Sequence, residues 1–168
     1  MINIGDFVNF AGTEWVVLDK NDDAVLCFAK HNLCNKTFDC MSNNYEHSDI
    51  RNYLNENALP LIISDIGEDS LFDVEIDLTS EDGLDDYGCV VDKIGLLTTN
   101  MYRQYSRIIE LCRICNSFML ATPWSTTHRN DSRYICHVTN GGQIFSDSRN
   151  AIFAVHPFCV IKKSALER

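Results

Sequence analysis

A chain of 168 residues with 45% apolar content is long enough for one domain with a substantial core, burying about two-thirds of its surface. Its formal charge of −10 argues against a protein that grips phosphate backbones, since that affinity rests on Lys and Arg; it suits a basic protein partner or a mimic of nucleic acid. Met1 to Phe10 lacks the basic start and apolar run of a signal peptide, and no apolar run approaches ~18 residues, so the chain is expected to be soluble and cytoplasmic.

The opening third reads as a small antiparallel sheet. Gly5 to Phe10, Glu14 to Asp19 and Ala24 to Ala29 are short strands, separated by Ala-Gly-Thr and Lys-Asn-Asp-Asp turns. Asp19, Asn21 and Asp23 alternate like the start of a calcium loop, but Ala24 stands where its glycine should be and Lys30 where its bidentate Glu should be. The segment is therefore a hairpin turn.

Ser48 caps a helix whose apolar face is Ile50, Tyr53 and Leu54, and Leu59-Pro60 is expected to end it. Arg51, inside this helix, is suited either to bidentate pairing with a buried carboxylate or to contact with an exposed ligand. Asn55, near the helix end, is suited to a similar anchoring role.

From Arg51 to Lys93 the chain has no positive side chain but carries half of its carboxylates: Glu56, Asp65, Glu68, Asp69, Asp73, Glu75, Asp77, Glu81, Asp82, Asp85, Asp86 and Asp92. Carboxylates this dense repel one another unless water, a metal ion or a basic partner screens them, so the run is expected to be largely exposed. It is either a solvated acidic loop or a surface shaped to meet a basic one. Residues 61–92 read as a loose acidic insertion within a single domain spanning 1–168, with short strands such as Leu71 to Ile76.

Lys93 to Leu97 is then a buried strand, and Thr98 or Thr99 caps the clearest helix, with Met101, Tyr105, Ile108, Ile109 and Cys112 on one stripe. Strands follow at Phe118 to Ala121, Arg133 to Thr139, Gln143 to Asp147 and Ala151 to Ile161, with Asn140-Gly141-Gly142 as a tight turn. Strands at both ends with helices between them imply an α+β domain, two main helices packed on antiparallel sheets, whose termini pair in one sheet. Exposed strands such as those near Phe145 could pair in a homodimer, but the sequence locates no sheet edge. Trp124, in Thr122-Pro123-Trp124-Ser125, is either an exposed binding aromatic or the cover over one end of the core.

The eight cysteines fit reduced thiols, with Cys27, Cys89, Cys136 and Cys159 in apolar, buried surroundings. His31, Cys34 and Cys40, with His47 further on, are the residues that would hold a zinc ion, although their spacing matches no standard knuckle. Cys112-x-x-Cys115 has the pattern of a redox or zinc motif, yet it lies in a helical stripe, which favours packing. His128, His137 and His156 lie in the last third with Cys136 and Cys159, but no nucleophile elbow or cysteine-protease signature accompanies them, and Cys136 and His137 fall on opposite strand faces. No catalytic residues and no required cofactor are assigned.

The order of motifs resembles a bacterial and phage domain family of unknown function with C-type-lectin-like architecture. The resemblance is carried by Glu14-Trp15-Val16-Val17-Leu18, by Ser48-Asp49-Ile50-Arg51-Asn52-Tyr53-Leu54-Asn55, and by Asp92-Lys93-Ile94-Gly95-Leu96-Leu97-Thr98. The closing blocks are Tyr134 to Val138, Gly141-Gly142 and Phe153-Ala154-Val155-His156-Pro157. It implies a C-type-lectin-like α+β fold and favours a structural role for Arg51. Two arginines of the family pattern are missing, because Phe118-Met119-Leu120-Ala121-Thr122 has none and His156 replaces the one before Pro157. The calcium motifs of sugar-binding lectins are absent.

Charge, the lack of catalytic motifs and this resemblance together lead to an expectation. It is a non-enzymatic acidic binding protein of phage or mobile-element origin that engages a basic protein surface, such as the nucleic-acid channel of a host-defence nuclease, in the manner of an anti-CRISPR inhibitor. The expected contact residues are Asp65, Glu68, Asp69, Asp73, Glu75, Asp77, Glu81, Asp82, Asp85, Asp86 and Trp124. The alternatives are a cysteine- or metal-dependent enzyme, suggested by the related architecture of formylglycine-generating enzymes, and a bacterial module that recognises a peptide or glycan.

Overall fold

The computed structural model describes residues 1–114 and 116–167. Strands β1 (Phe7–Phe10), β2 (Thr13–Lys20) and β3 (Ala24–Ala29) form the expected meander. The two-residue turn between β1 and β2 places Ala11 and Gly12 at φ of 51° and 71°, the positive angles that a tight hairpin demands. Trp15, buried on β2, stacks on Phe10 at 4.6 Å and donates its indole N–H to the Phe10 carbonyl at 3.1 Å, so its one polar atom is satisfied.

The two-residue β4 (Asn35–Lys36) precedes helix α1 (Asp49–Tyr53), capped by Ser48, whose Oγ accepts from Arg51 N at 3.2 Å. The helical path does not stop at Pro60 as expected. A π turn over Leu54–Ala58 leads directly into α2 (Leu59–Ile66), which Gly67 ends at φ 83°. Pro60 falls in the first turn of α2, where a missing N–H costs no helical bond, and the wider π turn takes up the misfit.

Residues 61–92 are far more ordered than the expected loose excursion. After α2 come β5 (Val74–Asp77) and β6 (Cys89–Asp92), paired antiparallel with Glu75 opposite Val91 and Asp77 opposite Cys89. Ile62, Ile66, Leu71, Ile76, Leu78 and Val90 all enter the core. Apolar residues placed between the acids anchor the segment while the acids, Asp92 excepted, turn outward. One consequence corrects the cysteine reading: Cys89, on the outward face of β6, is exposed.

β7 (Ile94–Leu96) follows, with Gly95 at its centre. A Cβ on Gly95 would lie 2.4 Å from Ile76 Cδ1 and 3.3 Å from the Phe158 ring, so only glycine lets the hairpin sit this close to β7. Helix α3 (Thr99–Leu111) starts at the Thr98 cap as expected. Its buried line is centred on Tyr102 and Ile109, with Met101, Tyr105 and Ile108 half-buried beside them; Tyr102 goes inward because its hydroxyl reaches the Gly142 carbonyl at 2.8 Å.

The remaining elements are β8 (Phe118–Pro123), β9 (Tyr134–Val138), β10 (Ile144–Ser148), β11 (Phe153–Ala154), β12 (Pro157–Lys162) and the short α4 (Lys163–Leu166). They complete two five-stranded sheets, ordered β1-β2-β3-β12-β7 and β10-β9-β8-β11-β4, beside the two-stranded β5-β6. The chain's first and last strands belong to one sheet, as expected, although β12 pairs with β3 and not with β1. The fold is α+β. Among the described residues, no helix is long and apolar enough to cross a membrane.

His156 lies between the two sheets, with Phe28 of one and Phe118 of the other at centroid distances of 5.8 and 5.4 Å. Its Nδ1 is 2.8 Å from the Ala29 carbonyl, to which it donates, and Nε2 is buried without a partner. Burial pushes its pKa down to about 4, against the opposing pull of the Ala29 bond. As pH falls below about 6.5, the unfolded chain takes up a proton that folded His156 accepts only near pH 4, so its stabilising contribution is complete above about 6.5 and is lost on the way down. Urea denaturation should show a loss of about 3 kcal/mol between neutral pH and about pH 4 from this residue. His156→Asn, which keeps an N–H for Ala29, should remove most of that slope, leaving the smaller share of buried His137, whose pKa burial also lowers.

Candidate binding surface

The acidic run divides into two parts that differ in what their carboxylates already hold. On β5 the pleat sends Ile76 into the core and Glu75 and Asp77 outward, with Asp73 exposed just before the strand. Glu68 and Asp69 are exposed in the 3-10 turn at the start of this segment. The side-chain carboxylates of Glu68, Asp69 and Glu75 have no hydrogen-bond partner among the described residues. Lys93 donates to Asp73 at 2.9 Å, and this bond, with the field of Glu68 and Asp69, raises the lysine pKa. Asp77 accepts from the N–H and hydroxyl of Thr79 at 2.9 and 2.7 Å. Val91, 58% exposed, and Cys89 share the outward face with Glu75 and Asp77.

The second part, residues 79–88, is bound back onto the protein. Glu81 forms an ion pair with Arg103, and its N–H donates to the Pro123 carbonyl at 2.9 Å. Asp82 accepts from the hydroxyls of Ser80 (2.5 Å) and Ser125 (2.8 Å) and lies 3.2 Å from Arg129 Nε. Burial pushes the Asp82 carboxyl up, but the two hydroxyls and Arg129 outweigh it and hold its pKa below the ordinary value. Asp86 accepts from Thr126 Oγ1 at 2.6 Å. Asp85 is exposed and keeps no such bond. This part is largely exposed, as the sequence suggests, yet it is not a free loop, because the facing loop supplies three hydroxyl and guanidinium donors of its own.

A residue without any sequence signal organises this contact. Asn43, fully buried, donates through Nδ2 to the carbonyls of Ser125 and Tyr134, both at 2.8 Å, and accepts from the Tyr87 hydroxyl at 2.8 Å. Tyr87 Oη in turn accepts from Thr127 N at 3.2 Å. These bonds place Trp124, 40% exposed, beside the acidic loop.

Asp92, the last of the run, is buried rather than exposed. Arg51 donates to it from Nε and one terminal nitrogen at 2.8 and 2.9 Å and gives its third bond to the Glu46 carbonyl at 2.7 Å. This is the bidentate structural anchor that the sequence offered as one role for Arg51. Asn55 Nδ2 donates to the Arg51 carbonyl at 2.9 Å, within the same helix. Asp65, at the end of α2, accepts from Ala11 N at 2.7 Å and so lies away from the hairpin, at the β1–β2 turn.

The other candidates are scattered. His31 and Cys40 are exposed and Cys34 is half-buried, and no group of three or more His, Cys, Asp or Glu among the described residues is arranged to hold a metal ion. The candidate zinc set of His31, Cys34 and Cys40 is thus not assembled among the described residues. Cys115 lies outside the described residues, which leaves its pairing with Cys112 without a structural description. Burial pushes the thiols of Cys27 and Cys136 up to about 12 and raises Cys112 and Cys159, so all four are held protonated and unreactive. A cleft of about 140 Å³ between β5 and the start of α3 is lined by Glu75, Asp77, Thr79, Thr98, Thr99 and Thr122, among others, an acceptor-rich wall suited to cationic groups.

No protein-family model, no curated protein and no solved structure matches this chain.

The two parts of the acidic run should separate on substitution. Asp82→Asn and Asp86→Asn each remove a charged acceptor from part-buried hydroxyls and should cost about 1 kcal/mol. Glu68→Gln, Asp69→Gln and Glu75→Gln should each stay within about 0.5 kcal/mol of wild type. Chemical denaturation of the five single variants checks both expectations.

Proposed function

We propose that this protein is a non-enzymatic binding protein whose acidic hairpin face engages a basic protein surface, standing in for nucleic acid in the channel of a host-defence nuclease. The single observation that carries the reading is the outward row on and before β5. Asp73, Glu75 and Asp77 recur every second residue, a spacing of ~6.6 Å along a strand, comparable to that of successive phosphates on one nucleic-acid strand. Glu68 and Asp69 extend the row, and Lys93 is the cation set against it. Glu68, Asp69 and Glu75, whose carboxylates have no internal partner among the described residues, gain most from Arg and Lys of a second protein. Asp73 and Asp77 add charge although Lys93 and Thr79 already contact them, and Val91 offers apolar contact at the centre of the same face. Asp85 and Trp124 form the flank of this surface, whereas Glu81, Asp82 and Asp86 serve mainly to hold the flank in place.

The architecture is read as C-type-lectin-like, supported by the order of the sequence motifs and by the last strand, β12, lying in the same sheet as the opening meander. In this reading the scaffold carries the acidic hairpin where other members carry other sites, and the phage or mobile-element origin follows from the same resemblance. Cytoplasmic placement agrees with free thiols at seven described cysteines.

The test is competition. Purified nucleic-acid-binding nucleases, guide-loaded CRISPR effectors among them, are titrated with the protein in the presence of a labelled DNA duplex. Displacement of DNA should occur, should weaken with salt because exposed charges are screened over about 8 Å at physiological ionic strength, and should be lost in Glu68→Lys/Asp69→Lys/Glu75→Lys. If that folded triple variant displaces DNA as well as wild type does, the acidic face is not the contact.

A further inference from the structure

We infer that β10 is the interface of a two-fold symmetric homodimer, the partner being a second copy of this chain paired edge to edge. The argument starts from which backbone groups of β10 are already used. Thr139 N donates to the Gln143 carbonyl at 2.8 Å, and Trp124 N donates to the Tyr134 carbonyl at 3.1 Å. On an antiparallel strand the N–H and C=O of one residue point the same way and alternate along the chain. Tyr134 therefore faces β8, whereas Ile135, His137 and Thr139 face β10, where Asp147, Phe145 and Gln143 meet them. Ile144, Ser146 and Ser148 are left pointing away from the sheet.

Ser148 is already closed off, because its N–H donates to Asp147 Oδ1 at 2.7 Å and its carbonyl accepts from Ala151 N at 2.9 Å. Ile144 and Ser146 retain two N–H and two C=O groups with no hydrogen-bond partner among the described residues. Two alternate residues are the smallest set that a second identical strand can satisfy completely. With a two-fold axis at Phe145, Ile144 lies opposite Ser146 of the second copy, and each such pair exchanges both of its bonds.

The side chains agree with that axis. Phe145 is 57% exposed, and in the dimer it meets its own copy in a non-hydrogen-bonded pair, the closest cross-strand geometry. It stands opposite His137, which stacks on Phe153 at 4.5 Å, so the pair would continue an aromatic row that now stops at the sheet edge. The register is also electrostatically permissive: Asp147, the strand's one charge, falls opposite Gln143 of the second copy and meets no like charge. Edge strands that remain single are usually blunted by charged side chains, proline or a bulge, and β10, Ile-Phe-Ser-Asp-Ser, has no lysine, proline or bulge and one charge, Asp147, away from the axis. The opposite edge of the same sheet, β4, is only two residues long and carries Lys36. The two five-stranded sheets would join into one of ten strands.

Sedimentation equilibrium of the wild-type protein should report a dimer. Phe145→Asp brings two carboxylates together at the axis, and Ser146→Pro removes one outward donor without touching the ladder to β9; each should raise the dimer dissociation constant about tenfold or more while circular dichroism stays unchanged. Phe145→Cys, oxidised and mapped by mass spectrometry, should yield a peptide linked from 145 to 145, distinct from any product of exposed Cys40 or Cys89. A wild-type monomer up to its solubility limit overturns the inference. So does a dimer that survives both substitutions or that lacks the 145 to 145 link, and the cross-link decides the matter if a substituted protein fails to fold.

Discussion

The bidentate pair of Arg51 and Asp92 is the constraint on which the rest of this surface depends. Asp92 is the last residue of β6 and Arg51 lies in α1, so two bonds of 2.8 and 2.9 Å tie the foot of the acidic hairpin to the helix that leads into the π turn and α2. A carboxylate this buried is tolerated only because a guanidinium matches it in geometry and charge, and removing either partner strands the other in a poorly solvated site. The neighbouring contacts support the same placement. Gly95 lets Ile76 pack on β7, Ser48 starts α1, and Asn43 fixes the loop beyond β5 against the carbonyls of Ser125 and Tyr134. The hairpin is thus held from beneath by one charge pair and one small residue, and its carboxylates face solvent on a rigid base.

Most of the framework was legible in the sequence because it rests on strong local signals. Tight turns between short apolar strands marked β1, β2 and β3, and Thr98 followed by a 3.6-residue stripe marked α3. Arg51 on an amphipathic helix pointed to a carboxylate partner, though nothing in the order of residues singled out Asp92 among twelve acids. The β5-β6 hairpin was not legible as such. Its strands are four residues long and joined by eleven residues, too far apart for a hairpin signal, and acids on the outward positions made the alternation look like loop. Pro60 gave a stop signal that tertiary packing overrode through a π turn. The division of the acidic run into bound and unbound carboxylates depends on hydroxyls some forty residues away, at Ser125 and Thr126, which no local pattern connects to Asp82 and Asp86.

The two surfaces drawn from the structure have opposite chemistry and need not compete. The acidic hairpin offers side-chain charge, strong at long range and sensitive to salt. The edge of β10 offers backbone hydrogen bonds and one aromatic ring, effective only at contact and specific for a matching strand. A dimer would present two acidic faces on one particle, which raises the apparent affinity for a target with two basic grooves without any new contact.

Amide hydrogen exchange, followed residue by residue in the wild-type protein and in Asp92→Asn, addresses the dependence of the hairpin on its clasp. The account predicts that the variant stays folded but loses protection at Val74–Asp77, Cys89–Asp92 and α1, while β2, β3 and β12 keep theirs. Unchanged protection across β5 and β6 would show that packing alone holds the hairpin and that the charge pair does not organise the acidic face.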